Sequence, residues 1–200
     1  MFRIFGILLV VVISLSAQDA NSYLRNIITK FESISNFKAD FSQVASSGIG
    51  ENFSVSGEIT YATKNKFVVS FSGQEIYCNG ETVWNYNEKQ KRVVINTFEE
   101  QFSTFTIDRF LYDLPKDSKL KFVENEDGLS GISLVPQNDS QFREIVIRTD
   151  AAFVIKKITL VDQGGATYNI TLENITYNLP LSEDYFNYSP IEGIKVIDFR

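Results

Sequence analysis

The chemistry open to this chain is limited first by what it lacks. Its 200 residues contain no histidine, which removes Ser-His-Asp and Cys-His nucleophilic catalysis and every zinc site that uses imidazole. One cysteine, Cys78, excludes an intramolecular disulfide and a cysteine-cluster metal site. The remaining catalytic groups are carboxylates, lysines and serines. Glu124-Asn125-Glu126-Asp127 is the densest acidic run, yet it leads into Asp127-Gly128, a turn signal, and lacks the ligand spacing of a calcium loop. Glu99-Glu100 suits the start of a helix, where acids complement the dipole. No glycine-rich phosphate cradle occurs, so no enzyme, metal or cofactor is expected. What the chain has in excess is phenylalanine, 17 in all. Phe37, Phe41, Phe53, Phe67, Phe71 and Phe122 fall in strand-like runs, and Phe98, Phe102, Phe105 and Phe110 in one later segment. Aromatics at such density build either an ordinary core or the wall of an apolar cavity, and composition does not separate the two.

Those residues need a scaffold. A chain with 44% hydrophobic and 22% charged residues folds around a real core. The net charge of −6 gives no positive field to attract a phosphate backbone, so nucleic acid is not an expected partner. Residues 1–17, MFRIFGILLVVVISLSA, have a basic Arg3, a short apolar run and a small-residue end. They read as a signal peptide rather than a membrane span, which needs about 20 apolar residues. Residues 18–200 are then expected to form one extracytoplasmic domain. No cysteine follows the apolar run to accept an acyl anchor.

Tyr23, Leu24, Ile27, Ile28, Phe31 and Ile34 recur at helical spacing, predicting an amphipathic helix over 21–34 capped by Asn21 or Ser22. The period then changes to two, as in Phe37-x-Ala39-x-Phe41 and Phe53-x-Val55-x-Gly57-x-Ile59-x-Tyr61. Asn79-Gly80, Asp127-Gly128 and Gly164-Gly165 mark turns between further alternating runs. Within 166–177 the apolar parity switches from Tyr168, Ile170, Leu172 to Ile175, Tyr177, predicting a bulge at Glu173-Asn174. Residues 98–114 read as helical, ended by Pro115. The expected fold is mainly β with α: a single curved antiparallel sheet of about eleven strands, with the N-terminal helix and short helices over its concave side. By strand parity the cavity wall is Val55, Ile59, Phe67, Val69, Phe71, Ile76, Trp84 and Val94. Phe102, Phe105, Phe110 and Leu111 are the apolar residues of the later helical segment expected to cover that wall.

Three stretches carry a resemblance: SNFKADFSQV at 35–44, IYCNGETVWNY at 76–86 and LSEDYFNYSPIEGIKVID at 181–198. In that order they resemble the periplasmic lipoprotein carrier family, LolA. The resemblance implies an incomplete barrel closed by short lid helices, with Phe102, Phe105, Phe110 and Leu111 as the lid residues, and a non-enzymatic carrier for the acyl chains of lipoproteins. The implied partners are acylated lipoproteins, an inner-membrane ABC transporter that releases them and an outer-membrane receptor, with the carrier itself a monomer. In the family an arginine latches the lid to the sheet; Lys64, in Lys64-Asn65-Lys66-Phe67, is the matching position here. The alternative is a non-enzymatic extracytoplasmic lipid-binding or sensor module on the same half-barrel.

Overall fold

A computed structural model describes residues 15–47, 52–98 and 106–200. Phe102, Phe105, Glu99-Glu100 and most of the predicted signal peptide lie outside the described residues. After helix α1 (Leu15–Glu32) come strands β1 (Asn36–Ser46), β2 (Phe53–Ala62), β3 (Lys66–Phe71), β4 (Gln74–Asn79), β5 (Thr82–Asn87) and β6 (Arg92–Thr97). A π-helical turn (Arg109–Asp113) runs directly into a 3-10 turn (Leu114–Asp117). Strands β7 (Ser118–Glu126), β8 (Leu129–Pro136), β9 (Phe142–Thr149), β10 (Ile155–Asp162) and β11 (Thr167–Tyr177) follow, then a 3-10 turn (Glu183–Phe186) and β12 (Lys195–Asp198). Among the described residues no helix is long and apolar enough to cross a membrane.

The twelve strands form one open sheet in the order β12-β6-β5-β4-β3-β2-β1-β11-β10-β9-β8-β7. Consecutive strands meet as antiparallel hairpins, while β1 and β11 close the centre. The last strand departs from expectation: β12 pairs with β6 in parallel, Lys195 opposite Arg92 and Asp198 opposite Ile95. The chain reaches that edge by running across the outer face of the sheet, so it arrives in the same direction as β6. The predicted bulge is present: Asp40 pairs with Glu173 but Lys38 with Thr176, and Asn174 takes a positive φ of 50°. Its amide donates to Asp40 at 2.6 Å.

The helix differs from the sequence expectation at both ends. It begins before Asn21, at Leu15, because residues 15–20 hold no breaker. Asn21 and Ser22 are therefore interior, and Ser22 accepts a hydrogen bond from Arg25 at 2.8 Å instead of capping. It stops at Glu32, where the Ser33 hydroxyl donates to the Lys30 carbonyl at 2.7 Å, yet Ile34 still packs against the core. Pro115 likewise does not end the short helical segment; it occupies the first turn of the 3-10 turn, where its missing N–H costs nothing.

α1 lies across the concave face. Its early end meets β7 and β9: the Tyr23 ring packs edge-on against Phe122 at 5.2 Å and its hydroxyl bonds the buried Thr149 hydroxyl at 2.8 Å. Its late end reaches β1 and β2, where Phe31 meets Tyr61 at 6.0 Å. Ile27, Ile132, Leu134, Ile145 and Ile147 are fully buried between helix and sheet.

A half-covered concave face

Register fixes which side chains face inward, because residues directly opposite share a face. Phe37 pairs with Tyr61, and Tyr61 with Phe67; Phe67 pairs with Cys78, and Cys78 with Val83. This row is buried throughout. Tyr61 is sandwiched in it, stacked on Phe37 at 5.7 Å and on Phe67 at 6.4 Å. The next rows toward the other end of the barrel are Ala39, Ile59, Val69, Ile76 and Phe41, Gly57, with Phe71 beside them. Val55 follows on β2 opposite Gln43, and Val94 faces the same side from β6. Val55, Ile59, Val69, Phe71, Ile76 and Val94 are all only half-buried. The concave face is thus a dry core at one end and a half-covered apolar strip at the other.

Gly57 permits that strip to narrow. A Cβ there would stand 2.0 Å from the Ser70 carbonyl oxygen and 3.0 Å from the Phe71 Cβ. With no side chain in the way, Phe41 and Phe71 meet edge-to-face above it at 6.4 Å.

Seven of the eight wall residues expected from parity share this face. Trp84 does not. It pairs with Tyr77, whereas the concave residues Ile76 and Cys78 pair with Asn85 and Val83. Trp84 and Tyr86 share a face of β5, but it is the outer one. Val93 and Ile95, opposite Tyr86 and Trp84, are buried there as well. They are covered by a second, smaller core that strand parity did not reveal. The segment after β11 crosses this outer face: the buried Phe186 meets Tyr185 edge-on, Tyr185 bonds Thr60 at 3.2 Å, and Tyr188 meets Tyr77 and Tyr86 at 5.7 Å. Asn79 donates to Asn187 at 2.9 Å, so the Asn79-Gly80 hairpin is tied to the same segment.

Of the expected lid residues, Phe110 and Leu111 are described, and both are buried in the main core with Ile107. Side-chain bonds tie their segment to the sheet and to α1. The Tyr61 hydroxyl donates to the Asp108 carboxylate, and the Tyr112 hydroxyl donates to Glu32 on α1 at 3.3 Å. Burial, then the Asp108 charge, push the Tyr61 phenol far above its usual range. Part of the segment that a Lys64 latch would hold, 99–105, lies outside the described residues, and no described hydrogen bond joins Lys64 to the rest of it. Lys64 is exposed in the β2–β3 turn with φ 65°, its carbonyl against Gly80, and among the described residues no hydrogen bond or ion pair reaches its ammonium. The described tie from β2 to the lid segment is made three residues earlier, at Tyr61. Nothing in the sequence marks that tyrosine apart from its concave parity.

The acidic run resolves into a turn. Asn125 accepts from the Gly128 N–H at 3.1 Å, and Glu126 pairs with Arg148 at 2.6 Å. Among the described residues no group of three or more acidic or cysteine side chains could hold a metal. Cys78 is buried, and burial pushes its thiol up to about 11, which suits packing rather than nucleophilic chemistry.

Among the described residues, cavities open at both ends of the concave side. One lies beneath the late end of α1, against Phe37, Ile107, Leu172 and Tyr177, and leaves about 30 Å³, room for little more than a water. The other, about 650 Å³, lies at the opposite end among Gln43, Phe142, Leu160, Tyr168 and Ile170. That volume is in the range of small-ligand pockets.

An open half-barrel with a helix laid across it and a half-covered apolar strip defines a class of apolar-ligand-binding fold. Residues 32–189 match the family described as "Outer membrane lipoprotein carrier protein LolA", and the chain belongs to that family. It is 26% identical over 191 residues to an outer-membrane lipoprotein carrier protein of Haemophilus influenzae, covering 94% of this chain and 91% of that one. A protein of the same description from Nitrosomonas europaea is 21% identical over 207 residues, covering 98% and 99%. Among solved structures, a conserved protein from Thermus thermophilus aligns with TM-score 0.60 at 13% identity, covering 91% of this chain and all of that one (100%). A domain from Vibrio parahaemolyticus aligns with TM-score 0.51 at 11% identity, covering 86% and 97%. Both show the fold alone.

Proposed function

We propose that this chain is a non-enzymatic periplasmic carrier that shelters the acyl chains of lipoproteins on its concave face and shuttles them from the inner to the outer membrane. The observation that carries the reading is the half-covered strip of Val55, Ile59, Val69, Phe71, Ile76 and Val94, contiguous with a dry core. Family membership supplies the cargo class, and the family's partners follow: a releasing ABC transporter at one membrane and an acceptor at the other.

The energetics favour a lid. Burying one methylene yields about 0.8 kcal/mol, so a sixteen-carbon chain offers roughly 12 kcal/mol. A carrier that kept all of it would not release. If Ile107, Phe110 and Leu111 must leave the core to admit cargo, opening costs part of what loading returns. The Tyr61–Asp108 bond adds to that cost, which makes Tyr61 the described latch.

Native mass spectrometry of the protein purified from its own cell envelope tests the reading. Co-purification of an acylated polypeptide at one-to-one stoichiometry is expected. Recovery only of free protein, under conditions that keep lipoproteins soluble, would count against it.

A further inference from the structure

The concave parity of β1 runs Phe37, Ala39, Phe41 and then Gln43. Gln43 pairs with Val55 on one side and Ile170 on the other, so an amide interrupts an apolar row. It is half-buried, and among the described residues no hydrogen bond reaches its side chain. It lines the 650 Å³ cavity, whose depth is Phe142, Leu160, Tyr168 and Ile170. Of the other polar side chains at that mouth, Gln141 is exposed at the outer rim, and Asp162 and Gln163 are engaged. The Asp162 carboxylate accepts from the Ala166 N–H at 2.9 Å and from the Tyr168 hydroxyl at 3.4 Å; the Gln163 amide donates to the Ser140 carbonyl at 2.9 Å. Gln43 is left as a donor at the boundary between the apolar depth and the polar rim.

We propose that Gln43 is a specificity residue that donates a hydrogen bond to the ester carbonyl of an O-acyl chain lying in this cavity, the occupant being the glyceryl ester of an acylated polypeptide. This rests on the carrier reading. An O-acyl chain has its acceptor at the junction of tail and head, where Gln43 stands. The charge at the mouth selects the head. No lysine or arginine lines the described cavity, while Asp162 does, so a carboxylate or phosphate head is repelled and a neutral glyceryl thioether is not.

The test uses three probes with the same two sixteen-carbon chains: a fluorescent peptide bearing a dipalmitoylglyceryl cysteine, its dialkyl ether analogue, and dipalmitoyl phosphatidylglycerol. The parent is expected to bind the ester peptide about five- to tenfold more tightly than the ether, the worth of one neutral hydrogen bond. Gln43→Leu, shown folded by its melting curve, is expected to bring that ratio to about one while keeping the ether affinity. Equal binding of ester and ether by the parent, or an unchanged ratio in Gln43→Leu, overturns the role of Gln43 and leaves the carrier reading standing. Phosphatidylglycerol binding as tightly as the ester peptide overturns the choice of occupant. Failure of the parent to bind any of the three overturns the carrier reading and this inference together.

Discussion

Replacing Tyr61 by phenylalanine removes one oxygen and nothing else. The ring keeps its place between Phe37 at 5.7 Å and Phe67 at 6.4 Å, so the core it belongs to is preserved. What is lost is the hydrogen bond to Asp108, whose acceptor is charged. Bonds to charged groups are worth about 1.5–3 kcal/mol. Asp108 is only half-buried and regains water when the phenol goes, so the low end, about 1.5 kcal/mol, applies. That shifts a two-state lid roughly tenfold toward opening. Hydrogen exchange over residues 106–114 should then quicken about tenfold in Tyr61→Phe, and an apolar dye should bind more tightly by a similar factor. Asp108→Asn, which keeps an acceptor, should fall between parent and Tyr61→Phe. Lys64→Leu should match the parent, since its ammonium meets no described partner. Exchange over 106–114 unchanged in Tyr61→Phe would refute the latch, and a Lys64→Leu effect larger than that of Tyr61→Phe would move it back to the turn.

Three further outcomes are expected. Gly57→Ala drives a methyl into the Ser70 carbonyl, 2.0 Å away, and separates Phe41 from Phe71; urea denaturation should show a loss of roughly 3 kcal/mol, and a neutral result would mean β2 and β3 part easily. Stability should be insensitive to Cys78 below pH 9 and fall by about 2–3 kcal/mol as pH rises from 9 to 11. The unfolded thiol ionises near 9.0 while burial holds the folded one up to about 11. Burial also holds Tyr112 up to about 12, so the decline continues beyond; urea melts flat from pH 8 to 11 would contradict this sign. A photo-crosslinking side chain at Val69 or Ile76 should label with a bound acyl chain and one at Trp84 should not, and labelling from Trp84 alone would place the ligand on the outer face.

Strand parity was legible wherever one face of a strand is buried. Val55, Ile59, Phe67, Val69, Phe71, Ile76 and Val94 alternate with polar residues or lie in register with neighbours that do, and all of them face inward. The bulge at Asn174 was legible for the same reason, since an extra residue flips parity and leaves a visible break. β5 defeats the rule because neither of its faces is left open to solvent: Val83 is buried inward at 0% exposure, and Trp84 is half-buried outward opposite Ile95. The run Val93-Val94-Ile95 on β6 carried that warning, three apolar residues in succession on a strand that cannot hide them all on one side. What hides two of them is chain remote in sequence, the segment through Phe186 and Tyr188, and alternation on β6 says nothing of it. The same segment explains why β12 is parallel: a chain that must cross the outer face before joining the edge has no hairpin to reverse it. It also bears on function. In the carrier proposed above, the tail, by covering the outer face of β4–β6, removes apolar surface that would compete with the half-covered concave strip for an acyl chain.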